Sequence, residues 1–280
     1  MAAPPPPRTS DPAVPPVPAV PPVPAVLRLA QSAVMDRWRA PGEVLYREVA
    51  ELTELAAGQD LLVAGCGDGL MAEWLAVRTG ASVTGVDPDR ASLAVAEAHL
   101  RRAGLSRAVT YEGAPLDDLP LETSVFDAAV GEPAIAAAAD PARAVAELVR
   151  VTKPMGVVVL LQPTWSTLAV EAREAAVERL GLRPFLLIEW KQMLRDAGVV
   201  DIQVQDWSDG GRRRSDRVAA EPQLSWQHKM HIVGRAWRRW GWREARGAVE
   251  RERRLLREMS CERALGFQVI RGVKWPHPKG

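Results

Sequence analysis

Five short apolar segments between residues 61 and 162 alternate with other stretches, mostly of helical pattern, and this alternation constrains the fold more than any other feature. The segments are LLVAG (61–65), SVTGVD (82–87), AVTYE (108–112), FDAAVG (126–131) and GVVVLLQ (156–162). Short buried strands separated by helices are typical of a parallel sheet covered on both faces. Two later segments, 199–207 and 264–275, also have strand character. The sequence therefore predicts a doubly wound α/β sheet of seven strands.

Capping residues mark several helix ends. Asp89 can cap a helix that ends before Gly104, and Asp140 followed by Pro141 can begin another. Helices are predicted over residues 27–39, 43–57, 70–78, 90–102, 141–151, 165–180 and 186–197.

The composition is that of an ordinary globular protein, with 47% hydrophobic and 25% charged residues in a chain of 280. Lys and Arg number 36 against 35 Asp and Glu, which argues against a generally cationic nucleic-acid binder. Cys66 and Cys261 cannot build a disulfide framework, so a cytoplasmic location is expected. No uninterrupted apolar run reaches the roughly 20 residues of a membrane-spanning helix, and the longest uncharged stretch, 12–27, is punctuated by proline, so no such helix is expected.

Residues 1–26 consist almost entirely of Pro, Ala and Val, with PPVPAV repeated at 15–20 and 21–26. Such a segment can form polyproline II but cannot bury a core, so a disordered tail is predicted. A spacer and a ligand for a proline-recognising domain are both open interpretations. The remaining residues, 27–280, are predicted to form one domain with a helical insertion at about 208–262.

A glycine-rich turn follows the first predicted strand, and an acidic residue follows the second. The turn reads GCGDG at 65–69, and Asp87 lies 22 residues after Gly65. Ligands of open α/β sheets bind at such strand ends, where glycine backbone can approach a ligand and a carboxylate can accept from ribose hydroxyls. Leu70 stands where a dinucleotide fingerprint needs Gly or Ala, which disfavours a nicotinamide cofactor. The pattern indicates a nucleoside that carries a small anionic group.

The sequence resembles the class I S-adenosylmethionine-dependent methyltransferases, in particular the branch that includes the ubiquinone and menaquinone C-methyltransferases. The matching segments are LLVAGCGDG, VTGVDPD, DDLPLETSVFDAAV, ELVRVTKPMGVVVLLQP and WKQMLRDAGVVDIQVQDW. The resemblance implies a Rossmann-like sheet with an antiparallel last strand, N-terminal helices and a helical cap between strands six and seven. It also implies S-adenosylmethionine as cofactor and methyl transfer to a small-molecule or lipid-like acceptor.

The resemblance assigns eight positions to the cofactor site: Gly65, Cys66, Gly67, Gly69, Asp87, Pro88, Leu116 and Gly131. The first three would hold the methionine portion through their backbone, and the fourth would let the next helix pack closely. Asp87 would bind the ribose hydroxyls, and Pro88 would pack on the adenine. Leu116 would offer its N–H to the adenine, and Gly131 would lie beside the amino group and the transferred methyl.

Two positions depart from the family pattern. Val63 replaces an acid that helps to order the cofactor amino group, so this function is expected to come from another residue, with Asp60 one candidate. Pro115 replaces an acid that reads the adenine, with Asp117 and Asp118 nearby. Weaker cofactor binding is expected, because one such hydrogen bond contributes about 0.5–1.5 kcal/mol.

Glu132, directly after Gly131, is the candidate catalytic residue. It can act as a base or bind the cofactor ammonium, and a solvated loop carboxylate is the alternative. Gln162 and Trp165 follow the fifth strand and are predicted to line the acceptor pocket.

Other reactive side chains are assigned no catalytic role. Cys66 lies inside the glycine turn, where its small size accounts for its presence. His228 and His231 lack the further ligands of a metal site, so no metal is predicted.

The predicted insertion combines arginine with tryptophan. Nine arginines occur between positions 235 and 257, and four of the ten tryptophans are Trp226, Trp237, Trp240 and Trp242. Three interpretations remain open: a cap packed on the core, a peripheral membrane contact, and a nucleic-acid contact that the near-neutral charge disfavours. Two alternatives for the whole chain also remain, an RNA or protein methyltransferase and a non-catalytic S-adenosylmethionine-binding regulator.

Overall fold

A computed structural model of the chain describes residues 42–165, 184–207, 246 and 265–276. The helices are α1 (Gly42–Thr53), α2 (Leu70–Thr79), α3 (Arg90–Ala103), α4 (Pro141–Val151) and α5 (Leu187–Asp196), with a 3₁₀ turn at Pro133–Ala137. The strands are β1 (Asp60–Ala64), β2 (Ser82–Val86), β3 (Val109–Glu112), β4 (Phe126–Gly131), β5 (Thr152–Trp165), β6 (Phe185–Leu186), β7 (Val199–Asp206) and β8 (Leu265–Lys274).

One sheet carries all the described strands, in the order β3-β2-β1-β4-β5-β8-β7, and β6 pairs with β5 beside that path. Strands β1 to β5 are mutually parallel, whereas β8 runs antiparallel between β5 and β7. The Rossmann-like α/β sheet with its antiparallel last strand is therefore confirmed. Strand β6 was not predicted, because two residues are too few to show a hydrophobic period.

Each face of the sheet packs against its own set of helices. Side chains of α1, α2 and α3 cover the face that carries Val63 and Val130. Helices α4 and α5 cover the opposite face, which carries Leu62 and Ala129. Because consecutive residues of a strand point to opposite faces, both sets are buried, as the near-continuous apolar strands predict.

The predicted caps are present. Asp89 Oδ1 accepts from Ala91 N at 3.0 Å, and Asp140 Oδ1 accepts from Arg143 N at 3.0 Å. Gly104 ends α3 in the left-handed conformation.

Helix α1 ends at Thr53, four residues before the predicted end. The next residue, Glu54, has a φ of 54°, which breaks the helix. The Nε of Arg271 on β8 donates to Leu52 O at 3.1 Å and satisfies a carbonyl of the last turn. A contact 219 residues away in the chain leaves no local signal at the helix end.

The connection from β3 to β4 is a loop without a helix, held by two residues of α4. Glu147 Oε2 accepts from Leu119 N at 2.9 Å, and Arg150 donates to Leu119 O and Leu121 O at 3.1 and 2.9 Å. Hydrogen bonds from Arg150, together with one from the Leu119 N–H, hold the pKa of Glu147 below its usual value. This pair fixes the loop that contains the third sequence motif.

Several predictions concern residues outside the described ranges. These are the tail at 1–26, the helices at 27–39 and 165–180, and nearly all of the insertion at 208–262, so the domain division stays a prediction. Among the described helices, none combines the length and apolar character needed to span a bilayer.

Candidate functional site

The carboxyl ends of β1, β2 and β4 lie side by side. Ala64, the last residue of β1, pairs with Val86 on one side and Gly131 on the other. The glycine turn, Asp87 and Glu132 directly follow these three residues. The sheet thus brings the principal predicted site residues to one edge, where open α/β sheets bind ligands.

Asp87 joins the first strand end to the second. Its Oδ2 accepts from Gly67 N at 2.8 Å, and its Oδ1 accepts from Asp89 N at 2.8 Å. The residue is only 6% exposed. Because a carboxylate oxygen can accept more than one hydrogen bond, these contacts orient the group and leave it able to accept from a ligand.

Two glycines of the turn have different surroundings. Gly67 has a φ of 55°, and a Cβ added there would meet nothing within 4 Å, so its backbone borders open space. Gly69 has a φ of 81°, and a Cβ there would lie 2.0 Å from the Tyr111 hydroxyl and 3.0 Å from Ala96 Cβ. Gly67 therefore leaves open space on one side of the turn, whereas Gly69 lets β3 and α3 pack beneath it.

Tyr111 supports the turn from below and was missed by the sequence analysis. Its hydroxyl lies 3.3 Å from both Gly69 O and Glu73 Oε1. Burial and the Glu73 carboxylate raise the pKa of Tyr111, and burial also raises the pKa of Glu73. The phenol stays protonated at neutral pH and can donate. The one sequence signal was Gly85 inside a strand, where a Cβ would lie 2.6 Å from the Tyr111 ring.

Cys66 faces the interior of the protein. It is 1% exposed, and its Sγ would lie 2.9 Å from a Cβ added at Gly85. A thiol enclosed in this way packs the turn.

The predicted adenine contacts lie around the loops after β2 and β3. Pro88 is exposed beside Asp87, whereas the Leu116 side chain is 3% exposed and packs in the core. Asp117 Oδ2 accepts from Asp140 N at 3.0 Å, and Asp118 pairs with Arg143 at 3.4 Å. Both carboxylates thus contact the start of α4.

Glu132 is 0% exposed, so its interpretation as a solvated loop carboxylate is wrong. Its N–H donates to Ala64 O at 2.9 Å. Gln162, also 0% exposed, donates from Nε2 to Glu132 O at 2.9 Å and to Gly131 O at 3.2 Å. Trp165 at the end of β5 is 6% exposed. The end of β4 is therefore held between β1 and β5.

Gly131 has a packing role in addition to its predicted place beside the cofactor. A Cβ there would lie 2.6 Å from Leu160, 2.9 Å from Leu148 and 3.1 Å from Ile135. Only glycine lets β4 end this close to α4 and to the 3₁₀ turn.

Asp60 cannot replace the acid that is missing at Val63. It begins β1, and its N–H donates to Asp127 Oδ2 at 2.9 Å. At about 3.3 Å per residue, a strand of this length places Asp60 more than 10 Å from the glycine turn. A groove lined by Asp60, Glu122 and Phe126 contains neither Glu132 nor any of the eight positions assigned to the cofactor.

The site suits a nucleoside with an amino-acid portion. The open space at Gly67, the oriented Asp87 carboxylate and exposed Pro88 lie where the resemblance places the methionine portion, the ribose and the adenine. Within the described ranges, no three His, Cys, Asp or Glu side chains come together as a metal site.

Comparisons with known proteins agree with this fold. A family model described as "Methyltransferase domain" matches residues 62–160. The ubiquinone biosynthesis O-methyltransferase of Pseudomonas putida is 32% identical over 166 residues, which are 54% of this chain and 67% of that protein. Methyltransferase GfsG of Streptomyces halstedii is 33% identical over 115 residues, and the alignment covers only 41% of each protein.

Two solved structures share the architecture. The [4+2]-cyclase SpnF has a TM-score of 0.68 and 26% identity, with 83% of this chain and 80% of that chain covered. A putative sarcosine dimethylglycine methyltransferase from Galdieria sulphuraria also has a TM-score of 0.68, with 18% identity and coverage of 84% and 85%.

The chain belongs to the class I S-adenosylmethionine-dependent methyltransferases. The family and cofactor expected from the sequence motifs are thereby confirmed.

Proposed function

We propose that this protein transfers a methyl group from S-adenosylmethionine to a small-molecule acceptor. The observation that carries the proposal is the hydrogen bond from Gly67 N to Asp87 Oδ2, which joins the turn for the methionine portion to the carboxylate for the ribose. When bound, the cofactor supplies an electrophilic methyl group on a sulfonium. The protein then has to hold the two reactants in line, about 3–3.5 Å apart, and exclude water.

The buried carboxylate of Glu132 is the proposed functional group at the reacting end. It lies directly after Gly131, on the strand beside the glycine turn. As a base it would take a proton from an acceptor hydroxyl, and as an ion pair it would hold the cofactor ammonium. Removal of the carboxylate by Glu132→Gln separates the roles, because a lost base lowers kcat whereas a lost ion pair weakens binding of S-adenosylhomocysteine.

Phenols and quinols are the proposed acceptor class. The Pseudomonas putida relative is named for O-methylation in ubiquinone biosynthesis, and a buried carboxylate can accept the proton of a phenol. The test is release of S-adenosylhomocysteine from the full chain with S-adenosylmethionine and a panel of catechols, quinols and amines. Turnover confined to amines would contradict this acceptor class, and absence of cofactor binding would contradict the function.

Contact with a membrane surface is a separate proposal for acquiring a lipid-like acceptor. It rests on the sequence alone, through the arginines and tryptophans near positions 226–257. Co-sedimentation with anionic vesicles is expected for the full chain, and loss on charge reversal at Arg238, Arg239 and Arg243. Equal binding by that variant would contradict the proposal, and RNA binding abolished by the same change would support the nucleic-acid alternative.

A second candidate function is a reaction or regulatory role without methyl transfer. It is favoured by the likeness to the [4+2]-cyclase SpnF, at 26% identity. Tight binding of S-adenosylmethionine with no release of S-adenosylhomocysteine across the acceptor panel would support it.

A further inference from the structure

The side-chain amide of Gln162 has an orientation set by its neighbours. Its Nε2 faces the carbonyl oxygens of Gly131 and Glu132, and carbonyl oxygens can only accept. A flipped amide would place oxygen against oxygen, so Oε1 has to point away from both carbonyls.

Among the residues that the structure describes, that oxygen has no hydrogen-bond partner, although it is fully buried. A buried acceptor without a donor is rare in native proteins, because the lost hydration is not replaced. Such an atom at the carboxyl edge of a sheet indicates a ligand that brings a donor.

The position of the amide identifies the part of the ligand concerned. Amide O and N atoms are about 2.3 Å apart, so Oε1 lies within about 5.5 Å of the Gly131 and Glu132 carbonyls. Glu132 is hydrogen-bonded to Ala64, directly before the glycine turn. Val63 precedes Ala64 on β1 and is fully buried. It stands at the position where the family resemblance leads us to expect an acid.

We propose that Gln162 Oε1 accepts a hydrogen bond from the ammonium group of the cofactor, in place of the acid that position 63 lacks. This assignment rests on the proposed function and deepens it. A neutral amide can be buried without the desolvation penalty of a second carboxylate beside Glu132, which explains why glutamine suits the position.

The experiment is calorimetric titration of the full chain with three ligands. S-Adenosylhomocysteine carries ammonium and carboxylate, its decarboxylated analogue keeps the amine, and 5′-methylthioadenosine lacks both groups. Gln162→Met removes the acceptor oxygen, and Gln162→Glu keeps an acceptor but cannot donate to the two carbonyls. Gln268→Met is the matched control, because Gln268 is the cross-strand partner of Gln162 on β8.

Gln162→Met is expected to weaken binding of the two amine-bearing ligands by roughly tenfold or more and to leave 5′-methylthioadenosine within about twofold. Gln162→Glu is expected to keep the preference for the amine-bearing ligands, and Gln268→Met to match the unaltered chain.

Three results would overturn the assignment. Equal weakening for all three ligands would mean that Gln162 only supports the strand end. Loss of the preference in both Gln162 variants would assign the effect to the Nε2 contacts. Unchanged binding of all three ligands, together with a raised KM for a phenolic substrate, would mean that Gln162 Oε1 accepts its hydrogen bond from the methyl-accepting substrate and not from the cofactor. Failure of the unaltered chain to bind any ligand would instead overturn the proposed function itself.

Discussion

The hydroxyl of Tyr111 lies 3.3 Å from the carbonyl oxygen of Gly69, directly beneath the glycine-rich turn. The turn that borders the site is therefore supported by a side chain from β3, two strands away from β1 in the sheet. This contact couples the shape of the site to the packing of the sheet.

Gly69→Ala is expected to destabilise the protein through both strain and collision with Tyr111. A positive φ costs a non-glycine residue about 1–2 kcal/mol, and overpacking adds about 1–3 kcal/mol. The control is Gly104→Ala, which has a similar φ of 71° but open space around the added Cβ. Urea unfolding should show a larger loss at Gly69, partly restored by Tyr111→Leu in the double variant. Equal losses at both glycines would contradict the collision.

Asp87→Asn is expected to weaken S-adenosylhomocysteine binding by at least tenfold, because an amide cannot accept through both atoms from Gly67 and Asp89. Asp89→Asn is the control, since asparagine caps a helix as well as aspartate does. Calorimetry should show near-normal binding for that control. Comparable weakening in the two variants would mean that the cap of α3, and not the Asp87 carboxylate, determines affinity.

Arg271→Met is expected to lower the free energy of unfolding by about 1–3 kcal/mol, because it leaves the Leu52 carbonyl without its donor. The Arg271 side chain is 12% exposed, whereas the Arg143–Asp118 pair is 61% and 79% exposed. Arg143→Met should therefore change stability by less than about 0.5 kcal/mol in the same denaturant titration. A loss of similar size at Arg143 would contradict this ranking.

Acid is expected to destabilise the loop between β3 and β4 through Glu147. Its folded pKa lies below the ordinary value of 4.5, so its ionised form stabilises the fold. That contribution is complete at pH values above 4.5, and it is lost as the pH falls through the lower pKa that Glu147 has in the folded protein. Unfolding free energies measured from pH 6 to 3 should fall less steeply for Glu147→Gln. Glu122→Gln, an exposed change in the same loop, should keep the original slope.

The sheet and the helix caps could be predicted because their sequence signals are local. Asp89 and Asp140 cap the helices that the sequence assigned to them, and the strand FDAAVG has the predicted ends. The glycine turn and Asp87 were also found, since each follows an apolar strand.

The remainder of the site depends on contacts between distant residues. The Tyr111 ring reaches the turn 42 residues earlier in the chain, and the Gln162 amide reaches Gly131 across 31 residues. A tyrosine or glutamine inside a strand has no periodic pattern that shows which atom it will meet. The burial of Glu132 likewise depends on how β5 and the 3₁₀ turn pack around it.

The antiparallel β8 also affects how the protein can change over evolution. Asp206 at the end of β7 pairs with Gln268 of β8, and Trp207 N donates to Phe267 O at 2.8 Å, so the segment between the two strands leaves and re-enters at adjacent points. Because the two ends are adjacent, the length of the connecting segment can change without separating β7 from β8. Over evolution, insertions and deletions can therefore accumulate at this point of the fold while the strand ends that carry Gly65 and Asp87 keep their places in the sheet.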